Sequence, residues 1–352
     1  MTALARPTTL LLAALAPLAF GLASGCAEGT DAPQEPSTSA SSSSSSSSGS
    51  GGGGGSGGAG GGEVVPEPDG PPVLTIVNGV NDHEAIRLCF VPYPDGGDPA
   101  PYPADPSGLA FAAASRVDPA TLLPADKDVY LHVIAGDLTK TKDLGCAALT
   151  EGNGPAGVVA APVAVIPASA FVAKRSLLLV PTGCVGGPGH TDPLEKEGCG
   201  PTYSADTPNP GLLAAAMSRV TDEGNLSLQA AHAAQPMPSV DVRLVPGTEG
   251  GMPQQVAPSL TAGAVGPFPP FRQLARFEMG SIAQAEILTF VPGQLVKTSA
   301  SPLDAALARG GLTQADFEDG RAFTFVAVGA QPGIAAGAFW HALTWTVVRS
   351  DP

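Results

Sequence analysis

Three strand-like blocks occur twice, in the same order, between Val73 and Pro352. Leu74–Pro92 aligns with Leu228–Pro246 at an offset of 154, without a gap. Asp128–Gly136 aligns with Ala285–Gly293 at 157, and Ala170–Val180 with Asp316–Val326 at 146. Within the first block Ile86 meets Val240, Leu88 meets Val242 and Phe90 meets Leu244. A duplication limits the fold sharply, because whatever one copy builds the other must build too. The small drift in offset is what loop insertions produce.

The blocks read as strands. Ile86, Leu88 and Phe90 alternate with Arg87 and Cys89, and Val240, Val242 and Leu244 alternate with Asp241 and Arg243. That period of two belongs to a strand with one face in a core. Tyr130–Ile134 and Phe323–Val328 carry the β-branched and aromatic bias of strands. The intervening segments are rich in turn formers: the chain has 45 Gly and 37 Pro. So much Gly and Pro excludes a helical bundle or coiled coil. The expected fold is mostly β, with two tandem antiparallel β-sandwich repeats over residues 73–205 and 206–352. Short helical interruptions are expected near Gly108–Arg116 and Pro302–Ala308, each following a Pro.

The N-terminus reads as an address. One cation, Arg6, precedes the apolar run Leu10–Phe20, and small residues lead into Cys26. The run is too short for a membrane span and is broken by Pro17. Ala23-Ser24-Gly25-Cys26 resembles the lipobox of bacterial lipoproteins, with Ala23 where that family favours Leu. The resemblance implies a signal peptide over residues 1–25, cleavage before Cys26, and acylation of Cys26. It also implies outer-membrane sorting, since Ala27 is not Asp. Residues 37–62 contain only Ser, Thr, Ala and Gly, so 26–72 reads as a disordered tether. Its typical reach is roughly 35–40 Å.

The second copy carries a further resemblance. His232-Ala233, then Pro238-Ser239-Val240-Asp241-Val242, and the closing Phe323–Gly329 resemble an uncharacterised Ig-like or transthyretin-like β-sandwich family of bacterial cell-surface lipoproteins. Ala234-Gln235 replaces the Ser-Pro of that family, and Asn78-Gly79 stands in the first copy where His232-Ala233 stands in the second. The family supplies a fold expectation and no activity.

Five Cys are present, and lipidation of Cys26 leaves Cys89, Cys146, Cys184 and Cys199. An even set in a secreted chain reads as disulfides. Four Cys allow three connectivities. Cys89–Cys146 and Cys184–Cys199 are favoured, because the second closes the Gly-rich loop Val185–Gly198, which has little to pack with. Since repeat two contains no Cys, reduction is expected to weaken residues 73–205 selectively and leave 206–352 nearly unchanged.

Catalytic patterns are missing: no H-E-x-x-H, G-x-S-x-G or Walker-type loop occurs. His190-Thr191-Asp192 and Asp82-His83-Glu84 could each offer ligands, but both read as polar surface loops. His232 reads as a structural histidine bonded to a nearby turn. No catalytic residue, cofactor or metal site is expected. The formal charge of −15 excludes a nucleic-acid partner. The expected function is a lipid-anchored, non-enzymatic cell-envelope protein. Its two sandwiches would serve surface interaction or adhesion, with an envelope protein or a glycan as partner. The competing reading is a small-ligand receptor or hydrolase with its site between the repeats.

Overall fold

The computed structural model describes residues 66–124, 126–152, 154–171, 175–268, 272–333 and 341–352. The expected signal peptide, Cys26 and all but the end of the expected tether lie outside them.

The first repeat contains β1 (Val73–Val77), β2 (Gly79–Val80), β3 (Ala85–Tyr93), β4 (Leu109–Ala110), β5 (Ala114–Val117), β6 (Asp128–Gly136), α1 (Cys146–Thr150), β7 (Val158–Ile166), β8 (Ser176–Gly183), α2 (Glu195–Cys199) and β9 (Gly211–Met217). The second contains β10 (Leu226–His232), β11 (Val240–Val245), β12 (Gln254–Leu260), β13 (Val265–Gly266), β14 (Arg272–Leu274), α3 (Arg276–Met279), β15 (Glu286–Phe290), β16 (Ser299–Pro302), α4 (Leu303–Arg309), β17 (Ala322–Val328) and β18 (Thr344–Arg349).

Each repeat is a sandwich of two sheets. In the first, β8 lies between β9 and the β1–β2 line, and β5 closes the edge of β1; the other sheet runs β4-β3-β6-β7. In the second, β17 lies between β18 and β10, with β13 and β14 at the edge of β10; its partner sheet runs β12-β11-β15-β16. The correspondence reaches the register. Leu74 pairs with Leu177 across the parallel β1–β8 ladder, and Leu228 pairs with Phe323 across β10–β17. Both pairs follow the sequence offsets of 154 and 146.

The second block needs a correction of one residue. Leu131 lies opposite Phe90, and Ile287 lies opposite Leu244. Leu131 therefore corresponds to Ile287, not to Leu288. A slip of one residue moves a side chain to the other face of a strand, and only Ile287 of that pair joins the second sandwich core. Ile86, Leu88 and Phe90 do line the first core, and Val240, Val242 and Leu244 the second.

Two further expectations change. The first repeat extends past residue 205, because β9 completes its sheet by pairing with β8 over Ser176–Thr182. The stretch 108–116 is strand and turn, not helix: β1 offers an open edge that β5 fills. Ala112 adopts φ 59°, which no helix continues through. The other helix forms as α4, with Leu303, Ala306 and Leu307 buried.

The sheets containing β8 and β17 are buried on both faces. Along β8, Leu177 and Leu179 enter the first sandwich core, while Leu178 and Val180 point the other way. Along β17, Phe323 and Phe325 enter the second core, while Val326 and Val328 point away from it. The outward sets meet in a third apolar cluster, joined by Val77, Leu213, Met217, Ala231, Ala233 and Val348. A Cβ on Gly79 would stand 2.9 Å from Val180 Cγ1 and 3.1 Å from Val328 Cγ1, one atom from each repeat. The backbone approaches this closely only because that position is Gly. Burying Val77, Leu178, Val180, Val326 and Val328 contributes on the order of 10 kcal/mol before ordering costs. The described residues from 66 onward belong to one compact unit.

Polar groups cross the same face with partners. Thr346 Oγ1 donates to the Ala112 carbonyl at 2.5 Å, Arg116 Nη2 to the Asp351 carbonyl at 2.6 Å, and Asn81 Nδ2 to the Gln235 carbonyl at 3.0 Å. On the far side of the first sandwich, Arg87 is buried as well. Its guanidinium donates to the carbonyls of Pro101, Pro103, Ala104 and Thr141. Those bonds pin the 101–104 segment over β3. Cys89, beside it, bonds to Cys146 and roofs the sheet with α1.

Candidate functional site

The β2–β3 turn and the loop after β8 meet at one end of the first sandwich. Asp82 sits in the turn and is 1% exposed. Its carboxylate accepts from the backbone N–H of Val185 (2.9 and 3.0 Å) and of Gly186 (2.7 Å). The next residue, His83, donates from Nε2 to the Gly186 carbonyl at 2.9 Å. Gly186 thus serves both neighbours through its own backbone. It adopts φ +71°, and a Cβ there would lie 2.8 Å from the Ala205 carbonyl oxygen, so a side chain is excluded twice over.

The Cys184–Cys199 bridge closes this loop. Within it, His190 folds back beside His83, with ring centroids 4.6 Å apart. Helix α2 brings in Glu195, whose Oε1 lies 3.4 Å from His190 Nδ1; Asp82 Oδ2 lies 3.9 Å from the same nitrogen. Tyr203 completes the group, its hydroxyl 3.2 Å from Glu195 Oε2 and 3.4 Å from Asp82 Oδ2. His83, His190, Glu195 and Tyr203 are all buried.

Burial holds the His83 imidazole below its ordinary pKa, although the Asp82 charge pulls the other way. Neutral His83 with Nε2–H engaged keeps its lone pair on Nδ1. Burial, reinforced by the charges of Asp82 and Glu195, raises the Tyr203 hydroxyl well above its usual range, so it remains a donor. Two buried carboxylates share that one hydroxyl. Among the described residues, the basic group that approaches both of them is His190.

An open pocket of about 400 Å³ adjoins the cluster, lined by His83 and His190 and by Glu84, Ser107, Asp137 and Thr139. Two smaller pockets, of about 290 and 200 Å³, sit where the repeats meet at the rim. Between them lie the apolar cluster and the polar contacts described above.

The two polar loops are therefore not merely surface. Asp82, His83 and His190 come together in the interior, because Asp82 replaces solvent with backbone amides and drags the disulfide loop inward. Thr191, Asp192 and Glu84 stay outside, and Asp192 caps the turn at Leu194. Glu195 and Tyr203 escaped the sequence reading; no spacing rule ties them to position 82. His232 donates from Nε2 to the Pro238 carbonyl at 2.9 Å, the structural turn contact expected of it. His132 lies against Tyr130 on the outer face of β6. Cys89, Cys146, Cys184 and Cys199 are bonded in the favoured pairs.

No protein-family model matches the chain, and no curated protein matches it. Among solved structures, a proposed adhesin from Bacteroides thetaiotaomicron shares 10% identity at a TM-score of 0.19, over 82% of this chain and 100% of its own. A proposed cell adhesion protein from Bacteroides eggerthii shares 14% at 0.18, over 82% and 98%. Another from Parabacteroides distasonis shares 12% at 0.16, over 80% and 97%. Scores this low carry no functional argument. The β-sandwich architecture rests on the strand pairing above, and among the described residues no helix is long and apolar enough to cross a membrane.

Proposed function

We propose that this chain is a lipid-anchored cell-envelope protein, non-enzymatic, that presents a two-sandwich body for surface interaction or adhesion. The observation that carries the reading is the apolar packing between the repeats. It occupies the centre of the face where a receptor or hydrolase would keep an interdomain site, leaving pockets of about 290 and 200 Å³ at the rim. What remains accessible is the outer surface and the loop ends, where β-sandwiches commonly carry recognition. The Ser/Gly run between Cys26 and the first strand suits a body held away from a bilayer. A glycan or an envelope protein is the partner class that fits a body of this kind.

The test uses the full chain in a cell that processes lipoproteins. The protein should fractionate with membrane, and a Cys26→Ser variant should be released. Cells displaying it should bind an immobilised envelope component or glycan saturably, without turnover of ester, glycoside or peptide substrates. Turnover that disappears in a His83→Ala variant would contradict the reading.

A further inference from the structure

We propose that Asp82, His83 and His190 bind one divalent transition-metal ion of the zinc type. The inference is independent of the surface-binding reading. The three side chains each offer a ligand atom, all buried, and these atoms lie within 4.8 Å of one another. A tetrahedral zinc with bonds of about 2.0–2.2 Å needs ligand atoms roughly 3.3–3.6 Å apart. The widest separation therefore has to close by up to about 1.2–1.5 Å.

The chemistry of the set favours this ion. Two imidazoles with one carboxylate suit zinc and its neighbours, whereas calcium and magnesium require an oxygen cage. The orientation of His83 is already fixed. Its Nε2–H is held by the Gly186 carbonyl, the outer-shell contact that metal-bound histidines usually make. Asp82 is oriented in the same way by the amides of Val185 and Gly186. Glu195 Oε1, 3.4 Å from His190 Nδ1, stands beside the set as a second anionic group.

Charge points the same way. Two carboxylates buried side by side are costly unless a cation joins them, and Asp82 and Glu195 both face His190, with Nδ1 3.9 Å from Asp82 Oδ2 and 3.4 Å from Glu195 Oε1. A dication held by this set offsets both charges. The adjoining open pocket gives the ion a route in. Once bound, the ion ties the loop of Cys184–Cys199 to the β2–β3 turn. It therefore acts on the loop that forms the pocket wall.

The experiment strips the full-length protein with a chelator and titrates it with zinc by calorimetry and thermal unfolding. The expected result is one zinc per chain, a raised unfolding temperature, and no comparable shift with calcium or magnesium. A His83→Ala/His190→Ala variant should bind at least ~100-fold more weakly, at or beyond the ~10–100-fold typical of outer-shell losses. A His132→Ala variant should bind as the native chain does. Cobalt gives a second readout that needs no variant. The visible bands of a four-coordinate nitrogen–oxygen site are expected, without thiolate charge transfer. Undiminished zinc binding by the folded double variant would overturn the proposal. So would no zinc binding by the stripped native chain, or a cobalt spectrum like that of the aqueous ion.

Discussion

The ring of His341 lies flat on the ring of Phe111, with centroids 4.0 Å apart and planes 8° from parallel. Phe111 belongs to the first repeat, and His341 leads into the last strand of the second. His341 Nε2 also lies 3.3 Å from the His83 carbonyl, and its backbone N–H donates to the Asn81 carbonyl at 3.2 Å. The closing strand of one sandwich is thus fastened to the turn that carries the candidate site of the other. Stacked aromatic pairs contribute ~0.5–1.5 kcal/mol beyond area burial. Phe111 is half-buried, so Phe111→Ala is expected to destabilise the whole body by about 0.5–3 kcal/mol, less than a fully buried ring. Hydrogen exchange should rise at β18 as well as at β5; a rise confined to the first repeat would count against the coupling.

Trp345 is fully buried in the second core, and its indole N–H donates to Thr289 Oγ1 at 3.0 Å. Trp345→Phe keeps most of the volume but leaves Thr289 without that donor, at a cost of about 1–3 kcal/mol. Trp345→Ala is expected to cost about 3–5 kcal/mol. Chemical denaturation of the two variants checks the order. Equal losses would mean that the hydrogen bond, not the ring volume, dominates.

Sequence reasoning alone assigned reductant sensitivity to residues 73–205. The shared apolar face changes that expectation. Cys89, Cys146 and Cys184 are fully buried, so reduction requires the body to open first. Once reduced, each bridge is expected to cost ~2–5 kcal/mol, and both repeats should become protease-sensitive together. Selective cleavage of the first repeat, with β10–β18 intact, would restore the earlier expectation.

Burial lowers the pKa of His132 and of His232 in the folded chain. The unfolded chain then binds more protons in the window below the ordinary value of about 6.5. Stability from these residues is fully present above that value and is lost as pH falls below it. Unfolding free energy should therefore climb as pH rises toward about 6.5, by at most ~1.4 kcal/mol per pH unit for His232 and by less for half-exposed His132, where solvent screens the effect. His232→Gln, which can still donate to the Pro238 carbonyl, should flatten the slope. An unchanged slope would show that His232 does not contribute.

The strands were legible because period and duplication agreed: Ile86, Leu88 and Phe90 could only face one core. The continuous run Leu177–Val180 leaves no solvent face, a sign of burial on both sides that the expectation of two tandem sandwiches did not take up. What the run could not say was which surface it meets, and that turned out to be the equivalent strand of the other copy. The ending of the first repeat was hidden in Gly211–Met217, an Ala-rich stretch whose membership depends on pairing with β8 alone. The candidate site was visible only as two unrelated polar triplets. Their union depends on Asp82 bonding to amides about a hundred positions away, and local sequence does not encode such a partner.

The two sandwiches form one body through the cluster that joins Leu178 and Val180 to Val326 and Val328. Calorimetric unfolding of the full chain, as the Cys26→Ser variant so that the proposed acylation cannot occur, tests this directly. One endotherm is expected, with van't Hoff and calorimetric enthalpies equal, and a Leu178→Ala variant should shift that single transition downward without splitting it. Two separable transitions in the unmodified body, each carrying about half the enthalpy, would contradict the shared core.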